Sequence, residues 1–335
     1  MKQILQNIKK IAIFRTDRIG DMVLTLPMFR AVKQIDSGIH TTLIASAYVS
    51  QLVENCDFID ERIYLDSNIR INKILKQIAP DAIFFPRPKY NEALAAFLAR
   101  VPKRIGSAYR LYSLLFNHRV YSHRKTAQKH EAEYNVELIN RFFETNCATE
   151  LVCPNITPNI LCMVDKKIIE KVGASDFIIL HPGTGGSAGE WSAENFAYLG
   201  QKISNNFSNI KIAVTGSDSD FNKCEIIKKI MPEAISFCSD FKLEELIAFI
   251  SRSKLLVANS TGVLHLAASL AVPVVGIYPN SSHLSAKRWG PYSINSVTIS
   301  PPETEEDQKD NLNLVKVDDV YDKVKSLLQS NTTSD

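Results

Sequence analysis

The chain has 335 residues, of which 45% are apolar and 22% charged, with a net charge of +3. That length exceeds one ordinary hydrophobic core and points to two domains at roughly 150 residues each. Thirteen glycines and fourteen prolines exclude a collagen-like or low-complexity chain, and the small net charge excludes a polycation, so no nucleic-acid partner is expected.

The N-terminal stretch MKQILQNIKKIAIF has basic residues but no long apolar run followed by a small-residue cleavage site. It is therefore not read as a secretory signal, and a cytoplasmic protein is expected. The six cysteines form no C-x-x-C pair and no zinc-ligand spacing, and are read as reduced thiols.

Short β-rich runs alternate with helical patterns from the first residues onward. IAIF (11–14) reads as a strand, followed by a helical run to about Ile35 in which Pro27 limits the first stretch to one or two turns. TTLIAS (41–46) and RIYL (62–65) are strands, RINKILKQI (70–78) is helical, and DAIFFP (81–86) is another strand. The segment LVCPNITPN (151–159) breaks the pattern and reads as a linker. The alternation then restarts with strands FIILHPG (177–183) and KIAVTG (211–216), a helix between them with Ser192 as N-cap, a helix near 221–230, strand AISFC (234–238) and a helix over 242–252. Leu255 to Ala286 contains no Asp, Glu, Lys or Arg and is long enough to span a bilayer. Asn259-Ser260-Thr261-Gly262, His265 and Pro273 divide it instead into strand, turn, helix and strand. A final amphipathic helix covers 317–328. This is the grammar of two doubly wound α/β halves, 1–160 and 161–335. In such sheets ligands bind at the carboxyl ends of the strands, and both halves are expected to turn those ends toward a common cleft.

Charge is uneven along the chain. Residues 1–155 hold 22 Lys/Arg against 15 Asp/Glu, and residues 86–130 hold ten basic residues against one acid, Glu92. The window reads either as a surface for an anionic partner or as scattered solvated charge.

Three motifs sit where strands end. In Arg15-Thr16-Asp17-Arg18-Ile19-Gly20-Asp21 a buried strand enters a polar turn, and Asp21 reads either as a helix cap or as a catalytic carboxylate. His181-Pro182-Gly183-Thr184-Gly185-Gly186-Ser187-Ala188-Gly189-Glu190-Trp191 places glycines and hydroxyls before a helix start, where backbone amides can hold an anion such as a nucleotide diphosphate. It is neither a Walker loop nor the dinucleotide fingerprint. In Asn259-Ser260-Thr261-Gly262-Val263-Leu264-His265 hydroxyls and amides suit phosphate or ribose, and His265 is either structural or functional.

The order of these motifs, R-T-D-x-I-G-D-x-x-x-x-x-P, then H-P-G-x-G…E-W, then N-S-T-G-x-x-H-L-A-A-x-L, resembles glycosyltransferase family nine, the lipopolysaccharide heptosyltransferases. The resemblance spans roughly residues 10–290. It implies a GT-B fold of two Rossmann-like domains, with the acceptor on the N-terminal one and the nucleotide-sugar on the C-terminal one. It implies an inverting, metal-independent transfer without a cofactor, in which ADP-heptose is the donor and a lipopolysaccharide core or related anionic glycolipid is the acceptor, with peripheral contact at the inner membrane surface. Asp21 matches the general base. Thr184 with Gly185, Gly186 and Ser187 matches the diphosphate loop, and Ser260, Thr261, Gly262 and His265 match the nucleotide-sugar turn. Gly189 stands where the family usually carries a lysine, and Ser260 where it often carries an aspartate. Lys287 or Arg288, past the last apolar strand, are candidates to supply the missing charge. Arg15, Arg18, Arg87, Lys89, Arg104, Arg110 and Arg119 are the candidate acceptor-binding cations. Two other readings stand beside a transferase: a sugar-nucleotide epimerase of the same architecture, and a nucleotide-sugar-binding protein with little turnover.

Overall fold

The computed structural model describes residues 7–66, 70–186, 189–302 and 308–331. The chain divides into two compact units, Met1–Val152 and Cys153–Asp335.

The first unit runs β1 (Lys10–Arg15), α1 (Ile19–Val23), α2 (Leu26–Ile35), β2 (His40–Ser46), α3 (Ser50–Val53), β3 (Glu61–Leu65), α4 (Ile71–Ile78), β4 (Ala82–Phe84), α5 (Tyr90–Leu98), β5 (Lys103–Ser107), β6 (His118–Val120) and α6 (Glu131–Phe143). The second runs α7 (Pro158–Lys171), β7 (Asp176–His181), α8 (Ala193–Asn206), β8 (Ile210–Gly216), α9 (Phe221–Ile230), β9 (Ile235–Cys238), α10 (Leu243–Ser251), β10 (Leu255–Asn259), α11 (Gly262–Ser269), β11 (Val274–Ile277), α12 (Ala286–Trp289), β12 (Ser296–Ile299) and α13 (Val317–Asn331).

Each unit is one six-stranded sheet, ordered β3-β2-β1-β4-β5-β6 and β12-β11-β10-β7-β8-β9. Every pairing is parallel. Counted from its own first strand, the second sheet repeats the order of the first. In both, the chain winds outward one way from the first strand and then returns to start again on its other side. The switch therefore lies between β1 and β4, and between β7 and β10.

The apolar runs form these strands because helices cover both faces. β1 and β7 are buried from their second residue on, and β4, β10 and β11 throughout. The edge strand β3, with Glu61 and Arg62 in it, is only half-buried. The stretch from Leu255 resolves into β10, α11 and β11 as its polar punctuation predicts. Among the described residues no helix is long and apolar enough to cross a membrane. All six cysteines are free.

Pro27 acts as predicted. It occupies the first turn of α2, and the preceding α1 is only five residues long. The break leaves the Leu24 carbonyl unused by a helix. The Asn135 side chain, fully buried on α6, donates to it at 2.9 Å.

In β5, Gly106 lies against the buried ring of Phe116, and a Cβ there would come within 2.7 Å of ring carbon Cε2. The strand therefore accepts no side chain at 106 without displacing the ring. Gly106→Ala is expected to lower unfolding free energy in chemical denaturation by about 1–3 kcal/mol, the cost of overpacking a core. An unchanged midpoint would show that Phe116 can move aside.

Candidate active site

The carboxyl end of β1 leads into the first cluster. Arg15, the last residue of the strand, is 1% exposed. Its Nη2 donates to Asp21 Oδ1, and its Nε lies 3.2 Å from Asp17 Oδ2. A guanidinium held this far from water is tolerated only when paired, and the two carboxylates pair it. Asp21 is not the cap residue of α1. Arg18 holds the N-cap position of α1 with no side-chain cap, and Asp21 sits in the first turn with its carboxylate turned to Arg15. The Thr25 hydroxyl donates to the Asp21 carbonyl at 2.7 Å and anchors its backbone.

Arg87 and Lys89 enter from the loop after β4, across the switch point. Both are exposed, and both reach Asp17 Oδ1, at 3.2 and 3.3 Å. Lys89 also donates to Thr16 Oγ1 at 2.7 Å, and Thr16 donates to Glu92 Oε1 at 3.0 Å. Burial pushes the Glu92 carboxyl up from 4.5 to about 7, against the pull of Lys89 and the Thr16 hydroxyl. Arg15, Arg87 and Lys89 thus meet around Asp17 and Asp21. Arg18 is exposed at the start of α1, and Arg110 is exposed in the turn after β5. Arg104 and Arg119 lie elsewhere. The Arg104 guanidinium donates to the carbonyls of Leu115 and Val101 and stacks 5.4 Å from the Phe97 ring centroid, so its Nε and Nη1 are spent on the fold. Arg119, on the edge strand β6, donates to the Phe116 carbonyl at 3.2 Å.

In the second unit the glycine loop follows β7. Gly185 and Gly186 have φ of +57° and +69°, left-handed values that cost little only at glycine. Gly183 has no room for a side chain, since a Cβ would lie 2.5 Å from Asp220 Oδ2. Thr184 is buried; its hydroxyl donates to Glu190 Oε1 at 2.9 Å and accepts from the Gly186 amide at 3.2 Å. Ser187 lies outside the described residues. Ser192 caps α8, accepting from the Asn195 amide at 3.3 Å.

Neighbouring strands pin this loop. Asn259, fully buried at the end of β10, accepts from the Trp191 amide at 2.9 Å and donates to the Pro182 carbonyl at 3.0 Å. The Trp191 ring is buried, and its Nε1 donates to the Val315 carbonyl at 2.9 Å. At the base of the loop His181 Nδ1 meets Thr215 Oγ1 at 2.9 Å. Burial holds His181 down at about 4, although Asp220 pulls the other way, so the imidazole stays neutral at pH 7. Asp220 is itself held low: burial opposes its charge, but the hydroxyl and amide of Ser217 both donate to it. Asp218-Ser219-Asp220 is therefore a 3-10 turn leading into α9, with Asp220 tied to Ser217 and Asp218 exposed.

Beside this loop, across the second switch point, Thr261 precedes α11 without using its side chain as a cap. Ser260 and Gly262 flank it half-buried, and His265 is buried in the helix. Lys287 and Arg288 lie in α12 after β11 on the same carboxyl edge, Lys287 exposed and Arg288 over the Trp289 ring at 4.8 Å. The three sequence motifs contain Asp17, Glu190 and Asn259, without the partners seen here, whereas none of them holds Glu92 or Lys223. Lys223, on α9, lies 2.5 Å from Glu190 and 3.6 Å from Asp220.

Two parallel sheets of one strand order, each with polar loops at its switch point, give an α/β protein of the GT-B fold. The model of glycosyltransferase family 9 (heptosyltransferase) matches residues 70–316. A protein of Haemophilus influenzae, provisionally named a glycosyltransferase, is 26% identical over 347 residues, covering 96% of this chain and 97% of its own. A solved glycosyl transferase family 9 structure from Veillonella parvula superposes with a TM-score of 0.82 at 20% identity, over 96% of this chain and 97% of the other. The Escherichia coli ADP-heptose LPS heptosyltransferase II superposes with a TM-score of 0.80 at 18% identity, over 96% and 99%. The chain belongs to glycosyltransferase family 9, and it is a glycosyltransferase rather than an epimerase.

Glu92 yields a pH prediction. A carboxyl whose folded pKa is raised favours the folded state below its unfolded pKa and loses that advantage as pH rises through the folded value. Relative to wild type, Glu92→Gln should gain stability between pH 4.5 and about 7 and hold the gain above. The full span is ~3 kcal/mol at most, read from denaturation midpoints across pH. A pH-independent difference would mean that Glu92 has the same pKa in the folded and unfolded chain.

Proposed function

We propose that this glycosyltransferase moves a heptose from ADP-heptose to a lipopolysaccharide core or related anionic glycolipid, with inversion and without a metal ion or cofactor. The observation that carries the reading is the buried Arg15 with Asp21 on it, at the carboxyl end of the first strand, where such sheets hold their reacting groups. The name of the E. coli structural relative, an ADP-heptose LPS heptosyltransferase, supports the choice of donor and acceptor.

In this reading Asp21 takes the proton from the acceptor hydroxyl as its oxygen attacks the anomeric carbon. The bond from that carbon to the diphosphate oxygen breaks, and its electron pair leaves with ADP. The oxocarbenium-like transition state needs the departing negative charge stabilised. Amides around Gly185 and Gly186, the neighbouring Ser187, and the Ser260, Thr261, Gly262 and His265 turn would supply this, with Lys287 and Arg288 in reach of the same sheet edge. Arg15 keeps Asp21 in place. Arg87 and Lys89, with Arg18 and Arg110, offer exposed positive charge to the acceptor's anionic groups; Arg104 and Arg119 join them only as more distant positive charge.

The stretch after β5 supports work at the cytoplasmic face of the inner membrane. Leu111 is fully exposed, and Leu114 and Tyr121 are 76% and 73% exposed, in a stretch interleaved with Arg110, Arg119 and Lys125. Apolar side chains among cations suit an anionic lipid surface.

Asp21→Asn keeps the side chain's shape and removes its basicity. Assayed in EDTA with ADP-heptose and a deacylated lipopolysaccharide core, it should lose about 10²–10⁴-fold in kcat while donor affinity stays within a few-fold. Its melting temperature should be followed too, because Arg15 then keeps Asp17 as its one carboxylate. Near-wild-type kcat would remove Asp21 as the base, and wild-type activity that disappears in EDTA would remove metal independence.

A further inference from the structure

We propose that Lys223 supplies the positive charge that meets the sugar-bearing phosphate of the donor at the glycine loop. The inference rests on the reading that the second unit binds a nucleotide-sugar, and it names a residue for that site.

Lys223 lies in the first turn of α9, one strand over from the loop, because β8 is the neighbour of β7. Its Nζ is 2.5 Å from Glu190 Oε1. That same oxygen accepts the Thr184 hydroxyl at 2.9 Å. The ammonium thus sits one carboxylate oxygen away from the loop's buried threonine. It also lies 3.6 Å from Asp220 Oδ1, and Asp220 fills the space that Gly183 leaves open. The Lys223 side chain is 26% exposed, sheltered enough to feel a weakly screened field yet open to a ligand.

The charges explain why the loop needs this lysine. Glu190 and Asp220 place two carboxylates at a loop whose glycines are shaped for an anion. Unneutralised, they would repel a diphosphate. Among the described residues, Lys223 touches both. When a diphosphate arrives, its oxygens can replace Glu190 as the ammonium's partner, and Glu190, 45% exposed, can turn to water. As the sugar–oxygen bond breaks and negative charge collects on the leaving phosphate, that contact strengthens.

The loop itself offers no substitute. Position 189 is glycine, and a Cβ there would lie 3.1 Å from the Asp310 carbonyl oxygen, tighter than ordinary contact. A long cationic side chain at 189 would have to leave against that backbone, whereas α9 delivers one from the side.

The test is calorimetric titration of the full chain with ADP, GDP and UDP, continued with whichever diphosphate binds wild type most tightly and with its monophosphate. Lys223→Met, which keeps the apolar stem, should weaken the diphosphate by about 10–100-fold and the monophosphate far less, the loss of one charge-assisted contact. Lys223→Arg should restore most of the affinity, and the salt dependence of diphosphate binding should flatten in Lys223→Met. Glu190→Gln leaves the lysine in place and removes its competitor, so it should tighten the diphosphate. It also provides a reading if Lys223→Met fails to fold. Unchanged diphosphate affinity in Lys223→Met, equal loss for both nucleotides, or weaker binding in Glu190→Gln would overturn the assignment. If wild type binds none of the three diphosphates, the donor reading itself fails and this inference falls with it.

Discussion

The order of strands in the two sheets is the constraint on which the rest of the molecule depends. Wherever neighbouring parallel strands send their connections to opposite faces, the carboxyl edge between them is left uncovered. That happens once in each sheet, between β1 and β4 and between β7 and β10. Polar side chains that the apolar strands cannot hold collect there: Thr16, Asp17, Asp21, Arg87 and Lys89 in the first unit, Thr184, Glu190, Ser260 and Thr261 in the second. The strands beneath are buried on both faces, so these loops stand on a rigid base.

The two units solve the problem of a buried polar floor differently. The first uses charge. Arg15 is buried at the end of β1 and is paired to Asp17 and Asp21. Removing one partner from such a group costs more than the group ever contributes, which makes the arrangement a positioning device rather than a source of stability. The second unit uses neutral groups. His181 is kept uncharged by burial, and Asn259 ties the Pro182 carbonyl and the Trp191 amide to the end of β10. Neutral groups thus tie the base of the glycine loop, while the charged Asp220, Glu190 and Lys223 stand beside it.

Much of the architecture was legible because it is written in local patterns. The apolar runs of β1, β2, β7, β8, β10 and β11 and the helix over 221–230 were readable from burial periodicity, and Ser192 and Pro27 from cap and breaker chemistry. Strands β5, β6 and β12 were not. Each has three to five residues, and β5 and β6 carry Lys103, Arg104, His118 and Arg119, so no apolar run marks them. Within the site, the residues next to glycines and strand ends stood out in the chain. The pattern left Asp21 between cap and catalyst, and its pairing with Arg15, six positions earlier, had no mark in the chain. Asn259, Glu92 and Lys223 act through contacts 33 to 77 residues away in sequence, for which no local spacing gives a signal. The basic excess of 86–130 was visible as a number, but Arg104 turns out to be bound to its own backbone neighbourhood, something a charge count cannot see.

Sugar transfer from a nucleotide donor to an anionic glycan can be read from the release of ADP. Purified protein is incubated with ADP-heptose, with and without a deacylated lipopolysaccharide core, and ADP formation is followed continuously while the product's anomeric configuration is read by NMR. ADP release should depend on the acceptor, and the glycoside formed should have inverted configuration. Release at the same rate without acceptor, or a product of retained configuration, would contradict inverting transfer.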